Sequence, residues 1–361
     1  MIPTTITRLD AVPIDIPLTE PFAIAKGAPA VAANVLVTIE LADGTRGLGE
    51  AAPFSEVSGE TQRGTLLAVE SARSSVVGQD ARTYRRISGR LAEALEAEPA
   101  ARGGIEMALL DAFTRHLRVP LWSFFGGQGT EVQTDMTITS GDARHATAAA
   151  IAIAARGIST LKVKVGARPA SEDADRLAAV HAALPAATLI ADANGGYTPA
   201  AAAQFLAELG ARQVPLSLFE QPVERERWME FRKLRPASPV LVCADESART
   251  ASELVQLIRA DAIDAVNIKP MKSGVVEALA MWHVARAAEL TLMIGGMLES
   301  PLAMSFSVHL AAGLGGFAYV DLDTPMFMKE HPFVGGFEQE GARLSVAHVA
   351  SGHGVDVASR S

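Results

Sequence analysis

Five charged residues recur along this sequence at nearly constant spacing, each closing a short apolar run. Lys164 to Asp192 is 28 positions, Asp192 to Glu220 is 28, Glu220 to Asp245 is 25, and Asp245 to Lys269 is 24. Each interval is the length of one strand, one helix and two connections, so the five groups return to one rim once per unit. Three carboxylates on neighbouring strands make an oxygen site for a hard divalent cation. Asp192, Glu220 and Asp245 would take Mg²⁺ and leave positions for water or substrate. The eight histidines are scattered and offer no competing zinc spacing. His181 and His283 fall inside helical stretches and read as solvated or packed.

The lysines carry a second chemistry. Lys162 and Lys164 are two apart, so on a strand they share one side, which in a barrel can be the interior. Burial and a neighbouring ammonium both lower a lysine pKa, which would make it a usable base. Lys269 lies four strands from Lys164, across the mouth. A substrate between them would meet an amine or ammonium on each face, the arrangement for taking a proton from one face and returning one to the other. The last run ends in Asp321 and Asp323, two carboxylates on one side, which suit an ammonium ion. Asn194 and Glu246 stand just beyond the third and fifth runs.

These groups need a scaffold, and the pattern supplies one. From about Thr134 onward, short apolar runs (TDMTI, TLKVKV, TLIAD, LSLFE, VLVCAD, AVNIK, TLMIGG, AYVDLD) alternate with Ala-rich helical stretches. Ser171, Thr198 with Pro199, and Ser273 read as helix starts. The runs are too apolar for a wet face, so helices cover the sheet. Eight such units predict an α/β fold, a modified TIM (β/α) barrel over residues 131–325. A doubly wound open sheet is the alternative, weakened because no glycine-rich dinucleotide fingerprint follows the first run. The first 60 residues alternate as strands, with a hairpin turn at Ala42-Asp43-Gly44. Helical periodicity follows from about Thr61 to Phe125, with Pro120 as a stop. Residues 1–130 therefore read as a separate α+β domain.

Composition sets the outer bounds. With 49% hydrophobic and 20% charged residues, a large core can be buried. The net charge of -9 argues against a nucleic-acid partner. The single cysteine, Cys243, allows no internal disulfide and sits in apolar surroundings. No apolar stretch is long enough for a membrane helix, and the N-terminus lacks the form of a signal peptide. The expected location is the cytoplasm.

The ordered motifs GGIEMALLDAFTRHLRVPLWSFFGG, LKVKVG, ADANGGY, FEQPV, ADES, NIKPMKSGV and GGMLES span nearly the whole chain. Together they resemble the muconate-lactonizing subgroup of the enolase superfamily. That resemblance implies Mg²⁺ at Asp192, Glu220 and Asp245, acid/base lysines at Lys164 and Lys269, and Lys162 as their helper. In this superfamily a Lys or His base works with Mg²⁺ on an enediolate, a pattern inherited from the family. It also implies that residues 1–130 are a capping domain, that the C-terminal tail, about 326–361, joins it, and that the protein is a homo-oligomer. The Asp-x-Asp of AYVDLDTP is similar to that of the dipeptide epimerases, where it binds the free α-ammonium. The expected reaction is epimerisation at the α-carbon of the C-terminal residue of an L,L-dipeptide. An N-acylamino acid racemase, an o-succinylbenzoate synthase or a cycloisomerase would share the lysines but leave the Asp pair without a partner. A barrel that binds carboxylates without chemistry would leave the lysine pair unused.

Thr137 and Met297 join the candidate substrate contacts, as do capping loops 19–29 and 51–61. In those loops Phe22, Ile24 and Phe54 favour an apolar side chain, Lys26 an acidic one, and Glu56 or Glu60 a basic one. The acidic-dipeptide members carry an Arg in the first loop. None is present in this one, so glutamate is the less favoured choice, and apolar against cationic stays open.

Overall fold

Alternation shapes the N-terminal sheet. In the computed structural model, which describes residues 2–235 and 240–358, β2 (Val31–Leu41) buries Val35, Val37, Ile39 and Leu41. It pairs antiparallel with β1 (Ile6–Pro17) on one side and β3 (Arg46–Ala51) on the other. The β2–β3 turn closes where the sequence places it. Gly44 takes φ +87°, and its N–H donates to the Leu41 carbonyl, a conformation that costs glycine little.

Three helices cover this sheet: α1 (Gln62–Val76), α2 (Tyr84–Ala94) and α3 (Pro99–Leu117). The last is buried along most of its length and lies directly on β3. A Cβ at Gly49 would fall 2.1 Å from the Gly104 carbonyl oxygen, and one at Gly47 2.2 Å from that of Ala108. Glycine at both positions lets backbone meet backbone there. Arg118, at φ 55°, ends the helix just before Pro120.

After a short strand β4 (Glu131–Gln133) come eight parallel strands: β5 (Met136–Ile138), β6 (Thr160–Lys164), β7 (Thr188–Asp192), β8 (Leu218–Glu220), β9 (Leu241–Ala244), β10 (Ala265–Ile268), β11 (Thr291–Gly295) and β12 (Phe317–Asp321). They pair in chain order. The Asp135 N–H donates to the Val320 carbonyl at 2.8 Å, and the Leu322 N–H to Thr134 Oγ1 at 3.0 Å. Single bonds therefore draw the first and last strands together into a nearly closed barrel. The chain order excludes the doubly wound sheet, which reverses at a switch point.

The barrel interior explains the rim. Ile190, Leu218, Cys243, Ala265 and Met293 form a small apolar cluster of their own, with Tyr319 against it. Two residues further along the same strands, on the same side, stand Asp192, Glu220, Asp245, Asn267, Gly295 and Asp321. The interior thus turns from apolar to charged within one pleat.

Helices on the outside follow the strands, with two corrections to the expected starts. The helix after β6 spans Ala170–Ala183 with Pro169 as its cap residue, so Ser171 lies inside the first turn. The helix after β10 spans Val275–Ala287 and begins from Gly274. Ser273 instead closes a single helical turn, Pro270–Ser273, and donates to the Lys269 carbonyl. Thr198 caps as expected, accepting from the Ala201 N–H ahead of Pro199.

The C-terminal residues fold back toward the N-terminal region. The Lys329 N–H donates to the Pro17 carbonyl, and the His353 N–H to Asp111 Oδ1 at 2.9 Å. Residues 359–361 of the expected tail lie outside the described residues. Among the described residues no helix is long and apolar enough to cross a membrane.

Candidate active site

The charged strand ends converge as one buried network. Lys162 Nζ, with no exposure, lies 2.8 Å from Glu220 Oε2, 3.1 Å from Asp192 Oδ2 and 2.6 Å from Asp321 Oδ2. Lys164 Nζ donates to Asp192 Oδ2 at 2.6 Å. Lys269 Nζ pairs with Asp245 Oδ2 at 2.6 Å. Gly295 makes room for this pair, since a Cβ there would sit 3.1 Å from Lys269 Cε and 2.9 Å from Asn267 Nδ2.

The electrostatics correct one expectation. Burial does pull Lys162 and Lys269 down, but the neighbouring carboxylates outweigh it. Asp192, Asp321 and Glu220 hold Lys162 well above its ordinary value, and Asp245 does the same for Lys269. Proximity to acids, invisible in strand spacing, reverses the sign. Burial raises Asp192 and Asp245, yet the lysines prevail and hold both below the carboxylate range. Burial and Asp192 push Glu220 up to about 7.

Each of the three carboxylates has one oxygen tied back by the protein. Asp192 Oδ1 accepts the Asn194 N–H at 2.9 Å, and Glu220 Oε1 accepts from Asn267 Nδ2 at 2.7 Å. Asp245 Oδ1 accepts from Lys272 Nζ at 2.6 Å. Glu220 Oε2 is buried and has no hydrogen-bond partner, because Lys162 stands close to it but off a bonding direction. These are hard oxygen donors, one of them unsatisfied, of the kind a divalent cation takes, while among the described residues the carboxylates whose oxygens come within 4.8 Å of one another are Asp135, Asp321 and Asp323.

A second carboxylate group lies on the other side of Lys162. Asp135, Asp321 and Asp323 bring oxygens within 4.8 Å of one another. Asp323 Oδ2 accepts the Thr137 N–H at 2.6 Å. Neither oxygen of buried Asp135 has a hydrogen-bond partner. Burial and the adjacent acids push Asp323 up to about 7 and Asp135 well above its usual value, while Lys162 helps keep Asp321 low despite its burial. A single positive charge on substrate would relieve this group.

One cavity joins Lys164 and Lys269 to the Asp321/Asp323 pair. Its lining includes Lys164, Lys269, Asp321, Asp323, Thr137 and Met297, roofed by Phe22, Ile24, Phe54 and Val57 from the two capping loops. Lys26 is exposed outside this lining. Glu56 accepts from Ser55 Oγ at 2.8 Å. Glu60 is buried and accepts the Ala100 N–H at 2.9 Å, an anchor for the start of α3.

Four residues were given no role by the sequence. Asn267 was findable, since it sits between Ala265 and Lys269 at the interior period of two. Gln221 accepts the N–H groups of Asp245 and Ser247 at 3.0 and 3.2 Å and so joins two strand ends. Its φ of 36°, like the 43° of Asn194, is uncommon for a non-glycine residue. Lys272 and Asp135 had no periodic signal.

Residues 144–361 match the family model for enolase C-terminal domain-like proteins, and residues 7–126 match that for the mandelate racemase/muconate lactonizing enzyme N-terminal domain. An aromatic dipeptide epimerase of Herpetosiphon aurantiacus is 54% identical, over 99% of this chain and 100% of that one. The crystal structure of a mandelate racemase/muconate lactonizing protein from the same organism superposes with a TM-score of 0.97 at 52% identity, covering 99% of this chain and 100% of that one. A dipeptide epimerase from Enterococcus faecalis, crystallised with Mg and L-Leu-L-Tyr, gives a TM-score of 0.93 at 29% identity, covering 98% and 99%.

Proposed function

The chain belongs to the mandelate racemase/muconate lactonizing family of the enolase superfamily, and on that premise we propose that it is a Mg²⁺-dependent dipeptide epimerase. One observation carries the reading. Lys164 and Lys269, on strands four apart in the barrel, face the same cavity as Asp321 and Asp323. The Asp pair takes the α-ammonium of a dipeptide and so fixes which carbon lies between the lysines. One Nζ, as the free amine, takes the proton as the Cα–H bond breaks. The other, as the ammonium, gives a proton to the opposite face, and the centre inverts. Asp192, Glu220 and Asp245 would hold the Mg²⁺, whose charge would offset the second negative charge that the substrate carboxylate gains on becoming the enediolate. Lys162 is committed to three carboxylates and balances their charge rather than shuttling protons.

The roof of Phe22, Ile24, Phe54 and Val57, with Met297 below, favours an apolar or aromatic side chain on the inverted residue. The name of the 54% identical relative points the same way. The reading includes a homo-oligomer in the cytoplasm, which light scattering and cell fractionation test. The activity is tested with an L,L-dipeptide library in D₂O with Mg²⁺, read by mass. One-dalton gains concentrated in dipeptides with apolar C-terminal residues are expected. Turnover confined to acylated amino acids or a succinylbenzoate precursor would overturn the dipeptide assignment.

A further inference from the structure

The three carboxylates proposed for the cation differ from a loose acidic cluster in one respect: each has one oxygen tied back by a neighbouring group, while its other oxygen faces Lys162, Lys164 or Lys269. The ties come from the Asn194 N–H on Asp192, Asn267 on Glu220 and Lys272 on Asp245. The third is the firmest. Lys272 Nζ spends all three of its donors at once, on Asp245 Oδ1 and the Asp245 carbonyl at 2.6 Å each and on the Asn267 carbonyl at 2.7 Å. The residue is buried and held by the single helical turn Pro270–Ser273, whose first hydrogen bond runs from the Lys272 N–H to the Lys269 carbonyl. With every donor used, it has no part in proton transfer. It also bonds both to the carboxylate and to the backbone of the same residue, which fixes the Asp245 side chain against rotation.

We propose that Lys272 is a positioning residue that makes the site choose Mg²⁺ over larger cations, by denying them the second oxygen of Asp245. The inference rests on the metal assignment above. The physical reason is coordination number. Mg²⁺ demands a compact octahedron and is content with one oxygen per carboxylate. Ca²⁺ takes six to eight ligands and gains from a carboxylate that offers both. Lys269 pairs with Asp245 Oδ2, the oxygen left for the cation, whereas Lys272, itself held by three bonds, keeps Oδ1 occupied, so the carboxylate cannot be bidentate. Asn267 does the same for Glu220 without a charge.

The charge itself does not explain selectivity. Removing Lys272 makes the site more negative for any divalent ion alike, so the ratio of two affinities cancels that effect and leaves the geometry. The experiment is isothermal titration of the metal-free protein with Mg²⁺ and with Ca²⁺, for wild type, Lys272→Met and Asn267→Ala. Loss of a group that orients a ligand typically costs about 10–100-fold in affinity for the matched metal. In Lys272→Met the preference for Mg²⁺ over Ca²⁺ should therefore fall by about ten-fold or more. Asn267→Ala should move it in the same direction by less.

If wild type binds neither ion, the metal assignment itself fails. If wild type binds Mg²⁺ but both variants keep its ratio, whatever happens to the two affinities together, the selectivity role is wrong and Lys272 is only a counter-charge. Failure of Lys272→Met to fold, with an unchanged ratio in Asn267→Ala, would likewise overturn the proposal and make the lysine a structural support.

Discussion

Two carboxylate groups share this barrel mouth and differ in how their charge is balanced. Asp192, Glu220 and Asp245 are interleaved with Lys162, Lys164, Lys269 and Lys272, and two of the three stay well below the usual carboxylate range. Among the described residues Asp135, Asp321 and Asp323 form an ion pair with one lysine, Lys162, and two of the three are pushed upward. Burial is nearly complete in both groups, so burial does not separate them. The count and placement of cations does. On the proposed function, the first group would take a dication beside two acid/base lysines, and the second would take the one positive charge of a substrate ammonium.

The largest effects should come from the first group. Removing the metal with a chelator, or replacing Lys164 or Lys269 by Ala, should reduce epimerisation by about 10²–10⁴-fold, the usual worth of a positioned acid or base. Chiral chromatography of the dipeptide product measures it. Equal tolerance of both lysine losses would remove the division of labour between the groups.

The second group predicts a smaller, substrate-dependent loss. Asp323→Asn should lower kcat/KM for dipeptides by about 10²-fold, as expected when one side of a buried charge pair is deleted. N-acetylated amino acids, which lack the ammonium, should not share that loss. In the wild type, Asp323 must be ionised to hold the ammonium, and its pKa is about 7. Dipeptide kcat/KM should therefore rise with pH through that region, and Asp323→Asn should flatten the rise.

The roof should matter less again. Phe22→Ala or Phe54→Ala should cut the preference for aromatic over small side chains by about ten-fold, with little change for Ala-Ala, judged by competition between the two substrates.

The last effect leaves catalysis aside and concerns stability alone. Glu299 is buried, its Oε1 accepts the Met297 N–H at 2.7 Å, and its Oε2 has no partner. Burial, the dominant cause, raises its pKa to about 8. The folded protein thus binds a proton there that the unfolded chain releases near its ordinary value of 4.5. Stability contributed by this group is full below the unfolded value and falls as pH climbs toward about 8. Glu299→Gln should remove the decline, worth on the order of a few kcal/mol, in denaturant melts at pH 5 and pH 9.

The strands were legible because buried parallel strands are written as apolar runs, and because their polar ends recur at unit spacing. All eight runs became strands in the expected order. The site was legible where a residue sits on the interior period, as Lys162, Asp192 and Asp321 do. It was not where the chain bends after the strand. Lys272 reaches Asp245 only because one helical turn carries it back over the strand end, and no periodicity records that. Asp135 lies before the first strand, at the seam where the barrel draws closed. The lysine pKa expectation failed for a related reason: a sequence shows that two lysines are neighbours, but not how many carboxylates surround them. Helix starts at Ser171 and Ser273 failed more locally. In each case a residue just ahead, Pro169, or just behind, Gly274, sets the backbone instead.

The central claim is that Lys164 and Lys269 serve opposite faces of one α-carbon. It is tested by following deuterium uptake from D₂O into the L,L and the L,D forms of one good dipeptide, with Lys164→Ala and Lys269→Ala in parallel. The account predicts that neither variant epimerises, and that each still exchanges the α-proton of one isomer only, a different isomer for each variant. Exchange of the same isomer by both variants, or of both isomers by either, would contradict it.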